Sequence, residues 1–202
     1  ALIDEIADKA GIPVHHTLTG FKWIDGLITS LEGKESFLVG GEESYGYMIG
    51  DLCRDKDAIV SCAFIAEMTA WYKDQGKSLF EALLDMYQEF GLYREKLVSI
   101  KKEGKEGAEA IAQMMSDLRS NPPASLGGSN VVVVKDYQSS ISKNLQSGET
   151  ESIDMAKSNV LQFITEDGST VSARPSGTEP KIKFYCSVNT QLGNKTDYDR
   201  LA

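Results

Sequence analysis

An α/β portion followed by an α+β portion built on an antiparallel sheet is the fold class the sequence predicts, and three observations carry it. Over residues 1–91, helical stripes surround a short apolar run that opens into a glycine-flanked loop. After Gly91 the pattern changes to a strand, one helix and further strand-like runs. Asp167-Gly168, set between two of those runs, is a hairpin turn signal. That order suits an antiparallel sheet covered on one face by helices. The boundary falls near Gly91, which gives portions 1–91 and 92–202.

In the first portion, residues 2–10 read as a short helix with Leu2, Ile3 and Ile6 on one face, ended by Gly11 and Pro13. A short strand is expected near Val14–Thr17. Apolar positions 21, 24, 27, 28 and 31 then form a helical stripe over Phe21–Leu31. Phe37–Val39 reads as a buried strand leading into the loop GGEESYG (40–46). Asp55 or Asp57 can cap the next helix, AIVSCAFIAEMTAWYKDQG, which is apolar almost all round until Lys73 and should be buried on most sides. Ser78 caps a further helix carrying Leu79, Leu83, Met86, Tyr87 and Phe90 on one face, and Gly91 ends it.

The second portion opens with a strand from Tyr93 through Ile100 and a helix over Gly107–Arg119, with Ala108, Ile111, Met115 and Leu118 in register. NPPASLGG (121–128) is a loop by composition, and Val131–Val134 is a β-branched strand. Residues 138–158, rich in Ser, Gln and Glu, read as an exposed connection. Val160–Thr165 and Thr170–Ala173 flank the hairpin turn at 166–169. Ile182, Phe184, Cys186 and Val188 alternate with polar residues in a half-buried strand. A closing helix begins at TDYDRLA, with Thr196 or Asp197 as its cap. Both ends look cut, so the chain reads as a piece of a longer protein.

The chain of 202 residues has 41% hydrophobic and 25% charged residues, ordinary values for a soluble globular protein. Its formal net charge of −9 argues against a nucleic-acid partner, although a pocket can still be locally positive. No apolar run approaches the roughly 20 residues of a membrane span. Cys53, Cys62 and Cys186 lack metal-ligand spacing and read as reduced, mostly buried thiols of a cytoplasmic protein. His15 and His16 read as structural, since no Ser/His/Asp or metal-ligand spacing surrounds them.

Three segments carry candidate chemistry. RPSGTEPKIKFY (174–185) places Arg174, Ser176, Gly177 and Thr178 in a corner framed by Pro175 and Pro180. A guanidinium fork fits phosphate oxygens, two hydroxyls can donate, and a glycine lets backbone N–H groups approach an anion. The plain alternative is a turn whose Ser and Thr bond their own backbone; the Arg and the paired prolines favour the anion site. In GGEESYG, Glu42, Glu43 and Ser44 follow a strand, and a carboxylate that accepts from vicinal hydroxyls can hold a sugar. TLTGFKW (17–23) and RDKD (54–57) add Thr19, Gly20, Lys22 and Lys56. Lys56 is either a surface ion pair or a cation aimed into a cleft, and spacing does not decide between them.

TLTGFKWI, GGEESYGY with RDKD, and RPSGTEPKIKFY occur here in an order that resembles the C-terminal half of an α-D-phosphohexomutase of the phosphoglucomutase/phosphomannomutase type. The resemblance covers essentially the whole chain. It implies most of the third domain of a four-domain enzyme, an α/β layer structure lacking its N-terminal part, and most of the fourth, a TATA-binding-protein-like fold. It implies isomerisation of hexose 1-phosphate and hexose 6-phosphate through a phosphoserine and a hexose 1,6-bisphosphate, with Mg²⁺ held outside this chain. At matching positions Glu42 and Ser44 would hold sugar hydroxyls. Arg174, Ser176, Gly177 and Thr178 would hold the phosphate that is not transferred. Thr19 would lie in a specificity loop with Gly20 and Lys22, and Lys56 at a position of phosphate contact or proton transfer.

Neither a Thr-Ala-Ser-His-Asn-Pro segment nor an Asp-Gly-Asp-Gly-Asp-Arg loop occurs in the sequence. The resemblance assigns both to the missing N-terminal domains of the same polypeptide, so this part is expected to be inactive alone. The Glu-Glu-Ser form of the loop favours glucose over mannose phosphate. A non-catalytic sugar-phosphate binding module is the alternative from another class. General nucleotide binding ranks lower, because no glycine-rich strand-to-helix loop is present.

Overall fold

A computed structural model describes residues 2–42 and 45–201. In chain order it gives helices α1 (Leu2–Ala10) and α2 (Phe21–Leu31), strands β1 (Val39–Gly41) and β2 (Tyr47–Ile49), and helices α3 (Ala58–Asp74) and α4 (Leu79–Phe90). Strand β3 (Leu92–Lys101) and helix α5 (Gly104–Ser120) come next, then β4 (Ser125–Leu126), β5 (Ser129–Asp136), β6 (Ile141–Asn144) and β7 (Thr150–Ser152). Strands β8 (Leu161–Thr165), β9 (Thr170–Pro175) and β10 (Lys181–Thr190), a 3-10 turn (Lys195–Asp197) and α6 (Tyr198–Leu201) complete it. The fold class holds: helices with a short sheet first, a large antiparallel sheet second. Contacts divide the chain into Ile12–Met86 and a second unit joining the segment through Gly11 to the chain from Tyr87 onward.

In the Ile12–Met86 unit the predicted stripe of α2 buries Phe21 and Ile28 against Met48 of β2, with Ile24 and Phe37 alongside. Strands β1 and β2 pair antiparallel, Gly40 opposite Met48. Their turn is closed by the Glu42 N–H, which donates to the Gly46 carbonyl at 2.9 Å. The strand expected at Phe37–Val39 thus begins at Val39, and with Val39 62% exposed it is not a buried one. The strand expected at Val14–Thr17 does not form. That segment pairs with no strand among the described residues, and without a ladder its backbone groups gain nothing from extension.

Asp57 rather than Asp55 caps α3, accepting the Val60 N–H at 2.9 Å. Helix α3 is apolar all round as expected, yet Ile59, Phe64, Ile65 and Trp71 are exposed and only Ser61 is buried. Cys62 on this helix is exposed too, and Cys53 and Cys186 are half-buried, so the thiols are not the mostly buried ones expected. Composition reports that a surface wants cover; it does not supply the layer that covers it. Helix α4 starts as predicted at Ser78, whose hydroxyl accepts the Glu81 N–H while the Glu81 carboxylate accepts the Ser78 N–H, a reciprocal cap.

In the second unit the strand order is β3-β10-β9-β8-β5-β6-β7, with β4 beside β5 and every neighbouring pair antiparallel. Helix α5 covers one face. Its Ile111 and Met115 pack on Val131, Leu161, Phe163, Ala173 and Ile182, the inward positions of four strands. Each of the larger side chains contributes roughly 1.5–3 kcal/mol by leaving water, the Ala173 methyl group less. Residues 138–158, expected as a connection, carry β6 and β7, which extend the sheet. Both are short and largely exposed, so they lack the apolar alternation that marks a half-buried strand. The hairpin turn at 166–169 is as predicted, with Gly168 at φ 82°. Asn194 caps the 3-10 turn by accepting the Thr196 N–H at 3.0 Å, and Asp197 directly precedes α6.

Candidate functional site

In the Ile12–Met86 unit, three predicted residues meet at the start of α2. Gly20 is its N-cap at φ 125°, a conformation closed to most side chains. The Gly20 N–H donates to Glu42 Oε1 at 2.7 Å, so an acidic side chain from the β1–β2 turn sits at the positive end of the helix. Glu42 Oε2 faces Lys56 Nζ at 3.0 Å. The Glu42 side chain is 8% exposed and that of Lys56 48%. Two of the roughly four acceptor positions on a carboxylate are thereby occupied. Ser44, like Glu43, lies outside the described residues.

Two residues that sequence reasoning missed shape this corner. The Lys56 ammonium lies over the Phe21 ring, 4.4 Å from its centroid. A methyl group at Gly46 would fall 2.6 Å from Cδ and Cε of Lys56, so the lysine stem runs through space that only glycine leaves open. The available signal was an aromatic residue directly after Gly20 and the closing glycine of the loop. Thr19 is exposed and makes no hydrogen bond among the described residues. Lys22 turns to Trp23, 5.1 Å from the ring centroid, and does not join Glu42. Arg54 pairs with Glu32 and Asp25 instead.

In the second unit the predicted corner begins inside β9. Ala173 is fully buried beneath α5, so alternation turns Arg174 to the opposite face. Arg174 is half-buried and has no hydrogen bond or ion pair among the described residues. Directly across the ladder lies Lys183, and one step beyond it Ser99. Lys183, visible as a polar position in the alternating strand, was also missed. Neither side chain makes a hydrogen bond or ion pair among the described residues, although the charge of Lys183 also acts on Glu179 in the following turn.

The turn that follows is well defined. The Ser176 N–H donates to the Lys181 carbonyl at 2.8 Å, and the Lys181 N–H donates to the Glu179 carbonyl at 2.7 Å. Ser176 Oγ accepts from the N–H groups of Thr178 and Glu179 at 3.4 and 3.3 Å, the self-bonded turn considered above. Those bonds use the oxygen and leave its O–H free to donate. The Thr178 hydroxyl has no partner among the described residues, and a methyl group at Gly177 would meet nothing within 4 Å. The outer side of this turn is open and rich in donors.

Glu179 is the carboxylate of the turn, and it pairs with Lys181. The hydrogen bond from Lys181 holds its pKa below the ordinary value of 4.5, aided by the charges of Lys181, Lys101 and Lys183. A depressed carboxylate pKa favours the folded turn above the unfolded value, and the benefit is lost as pH falls through the lower folded value. A carboxyl-carbon NMR titration of Glu179 is therefore expected to give a midpoint below 4.5, returning toward it in Lys181→Met. A midpoint at the ordinary value in the unmodified chain would contradict the pairing. Among the described residues, no three His, Cys, Asp or Glu side chains gather into a set able to hold a metal ion, and no helix is long and apolar enough to cross a membrane.

Comparison with known proteins gives one result throughout. Residues 1–90 match "Phosphoglucomutase/phosphomannomutase, alpha/beta/alpha domain III", and residues 105–191 match "Phosphoglucomutase/phosphomannomutase, C-terminal domain". A Phosphoglucomutase of Staphylococcus haemolyticus is 40% identical over 195 residues, which are 96% of this chain and 35% of the relative. Phosphoglucomutases of Staphylococcus epidermidis and Staphylococcus aureus are 34% and 36% identical, each over 93% of this chain and 34% of the relative. The chain thus spans about a third of the length of these curated relatives. The crystal structure of pp63/parafusin from Paramecium, in its open form, superposes with a TM-score of 0.65 over 98% of this chain and 34% of its own. At 19% identity that likeness concerns the fold alone.

Proposed function

Because the chain belongs to the phosphoglucomutase/phosphomannomutase family, we propose that it is the substrate-holding part of an enzyme that interconverts hexose 1-phosphate and hexose 6-phosphate, glucose ahead of mannose. A phosphoserine outside this chain gives its phosphoryl group to the sugar, and the resulting bisphosphate turns over and returns the other one. Holding such a ligand in two opposite poses needs one anchor for a phosphate and another for hydroxyls. Phosphoryl transfer itself asks the protein for position and charge.

The phosphate anchor is Arg174 with Ser176, Gly177 and Thr178. The observation that carries the reading is the half-buried, unpaired Arg174 beside Lys183, in a chain of net charge −9. A half-buried guanidinium with no ion pair among the described residues, beside a second cation, favours an arriving anion, and a phosphate supplies it. The open turn adds a hydroxyl from each of Ser176 and Thr178. The hydroxyl anchor is Glu42 with Ser44. Thr19, Gly20 and Lys22 form the loop that meets the sugar, and Lys56 contacts phosphate or passes a proton. Mg²⁺, as the family resemblance implies, neutralises phosphate charge when bound. The residues described here do not form a three-ligand set for it. The family resemblance assigns its ligands to the missing N-terminal domains, and nothing this chain does is routed through it.

The test is an assay of the full-length protein with Mg²⁺ on glucose and mannose 1-phosphates. Turnover of both, faster with glucose, is expected, while the 202-residue chain alone binds without turnover. Binding of hexose phosphate by a full-length protein that turns over neither sugar would instead favour a non-catalytic module.

A further inference from the structure

We propose that Phe21 and Gly46 are positioning residues for Lys56, a floor and a gap that together hold its ammonium on Glu42. A lysine stem has four rotatable bonds and keeps its charge in water by default, so nothing intrinsic directs it to one carboxylate. Here three features act on it from different sides. The ring face of Phe21 lies 4.4 Å from Nζ, Glu42 Oε2 stands at 3.0 Å, and the missing side chain of Gly46 opens the lane for Cγ, Cδ and Cε.

Phe21 can serve as a fixed floor because it is itself anchored. It is 6% exposed and packs on Ile28 and Met48, so the ring does not follow the ammonium if the lysine moves. Gly46 is also tied in place, since its carbonyl accepts the Glu42 N–H at 2.9 Å. The same hydrogen bond therefore sets both the carboxylate and the gap through which its partner reaches it. Pre-organising a cation in this way removes part of the ordering cost that a ligand would otherwise meet. The inference rests on Glu42 and Lys56 being substrate contacts; the arrangement of the cradle can be tested apart from that.

The experiment measures the rate at which an amine-reactive ester labels Lys56 in this chain, read by mass spectrometry against the exposed Lys105 as internal standard. Phe21→Leu keeps an apolar side chain but no ring face, and is expected to raise the Lys56 to Lys105 ratio by about two- to five-fold, the rate equivalent of an exposed cation–π contact. Phe21→Tyr keeps the face and should label like the unmodified chain. Gly46→Ala, whose added methyl group meets the flexible lysine stem first, should raise the ratio as Phe21→Leu does. Unchanged ratios in both Leu and Ala variants, or an equal rise in Phe21→Tyr, would overturn the cradle. A rise in both with no change in KM for glucose 1-phosphate in the full-length enzyme would leave the cradle standing and overturn the substrate role of Lys56.

Discussion

Arg174→Ala in the full-length enzyme is expected to lower kcat/KM for glucose 1-phosphate by roughly 10²-fold or more, mainly through KM. Hydrogen bonds to charged groups are worth about 1.5–3 kcal/mol each, and a guanidinium can make two to one phosphate. At 1.4 kcal/mol per decade, losing the fork removes about two decades of binding. The phosphate proposed for it is the one not being transferred, so its grip would be similar in ground and transition states, which would place the loss in KM. Arg174→Lys should fall between, keeping the charge and losing the fork. The fold should survive, because Arg174 faces away from the α5 core and has no partner among the described residues to leave behind. A change below about three-fold, under 1 kcal/mol, would remove the phosphate assignment.

Glu42→Gln is expected to lower kcat/KM by a similar order, about 10²-fold, with a different signature. The amide oxygen can still accept the Gly20 N–H, so the start of α2 keeps its contact. What disappears is the charge, and with it the strong acceptor for sugar hydroxyls and the partner of Lys56. Affinity for inorganic phosphate should then be unchanged in Glu42→Gln and strongly reduced in Arg174→Ala. That crossed result separates a hydroxyl anchor from a phosphate anchor, since loss of overall folding would lower both. Equal loss of phosphate binding in the two variants would contradict the division of roles.

Where a feature was written within a few adjacent residues, it could be read. The Asp167-Gly168 turn, the Ser78–Glu81 cap and the strand through Ile182 and Val188 each depend on neighbours in sequence, and each appears in the structure, although the expected half-burial is lost along β10, where Ile182 is buried and Val188 is 50% exposed. Ile111 and Met115 could likewise be assigned to a buried helix face before any strand was placed beneath them. Features that depend on a distant partner were not readable. Helix α3 announces an apolar surface but not its cover, and β6 and β7 are strands because β5 offers them a ladder, not because of their own pattern. Val14–Thr17 had the residues of a strand and no such ladder.

The candidate site divides along the same line. Arg174, Ser176, Gly177 and Thr178 form one continuous turn, so the sequence contained both the chemistry and the placement. Glu42 and Lys56 come from different elements, and spacing left Lys56 open between a surface pair and a site cation. The structure gives it Glu42 as partner, through Phe21 and Gly46, whose contributions are a ring face and an absent methyl group. Neither registers in a search for titratable or nucleophilic residues. Lys183 escaped for a related reason: its importance arises from standing opposite Arg174 across the β9–β10 ladder.

The central claim is that one unit holds a phosphate at Arg174 while the other holds sugar hydroxyls at Glu42. A crystal structure of the full-length protein with glucose 6-phosphate tests it most directly. The account predicts a phosphate within hydrogen-bonding distance of the Arg174 guanidinium and the Ser176 and Thr178 hydroxyls, with sugar hydroxyls on the Glu42 carboxylate. A bound sugar phosphate that leaves the 174–178 turn untouched, or Glu42 still bonded to Gly20 and Lys56 alone, would contradict it.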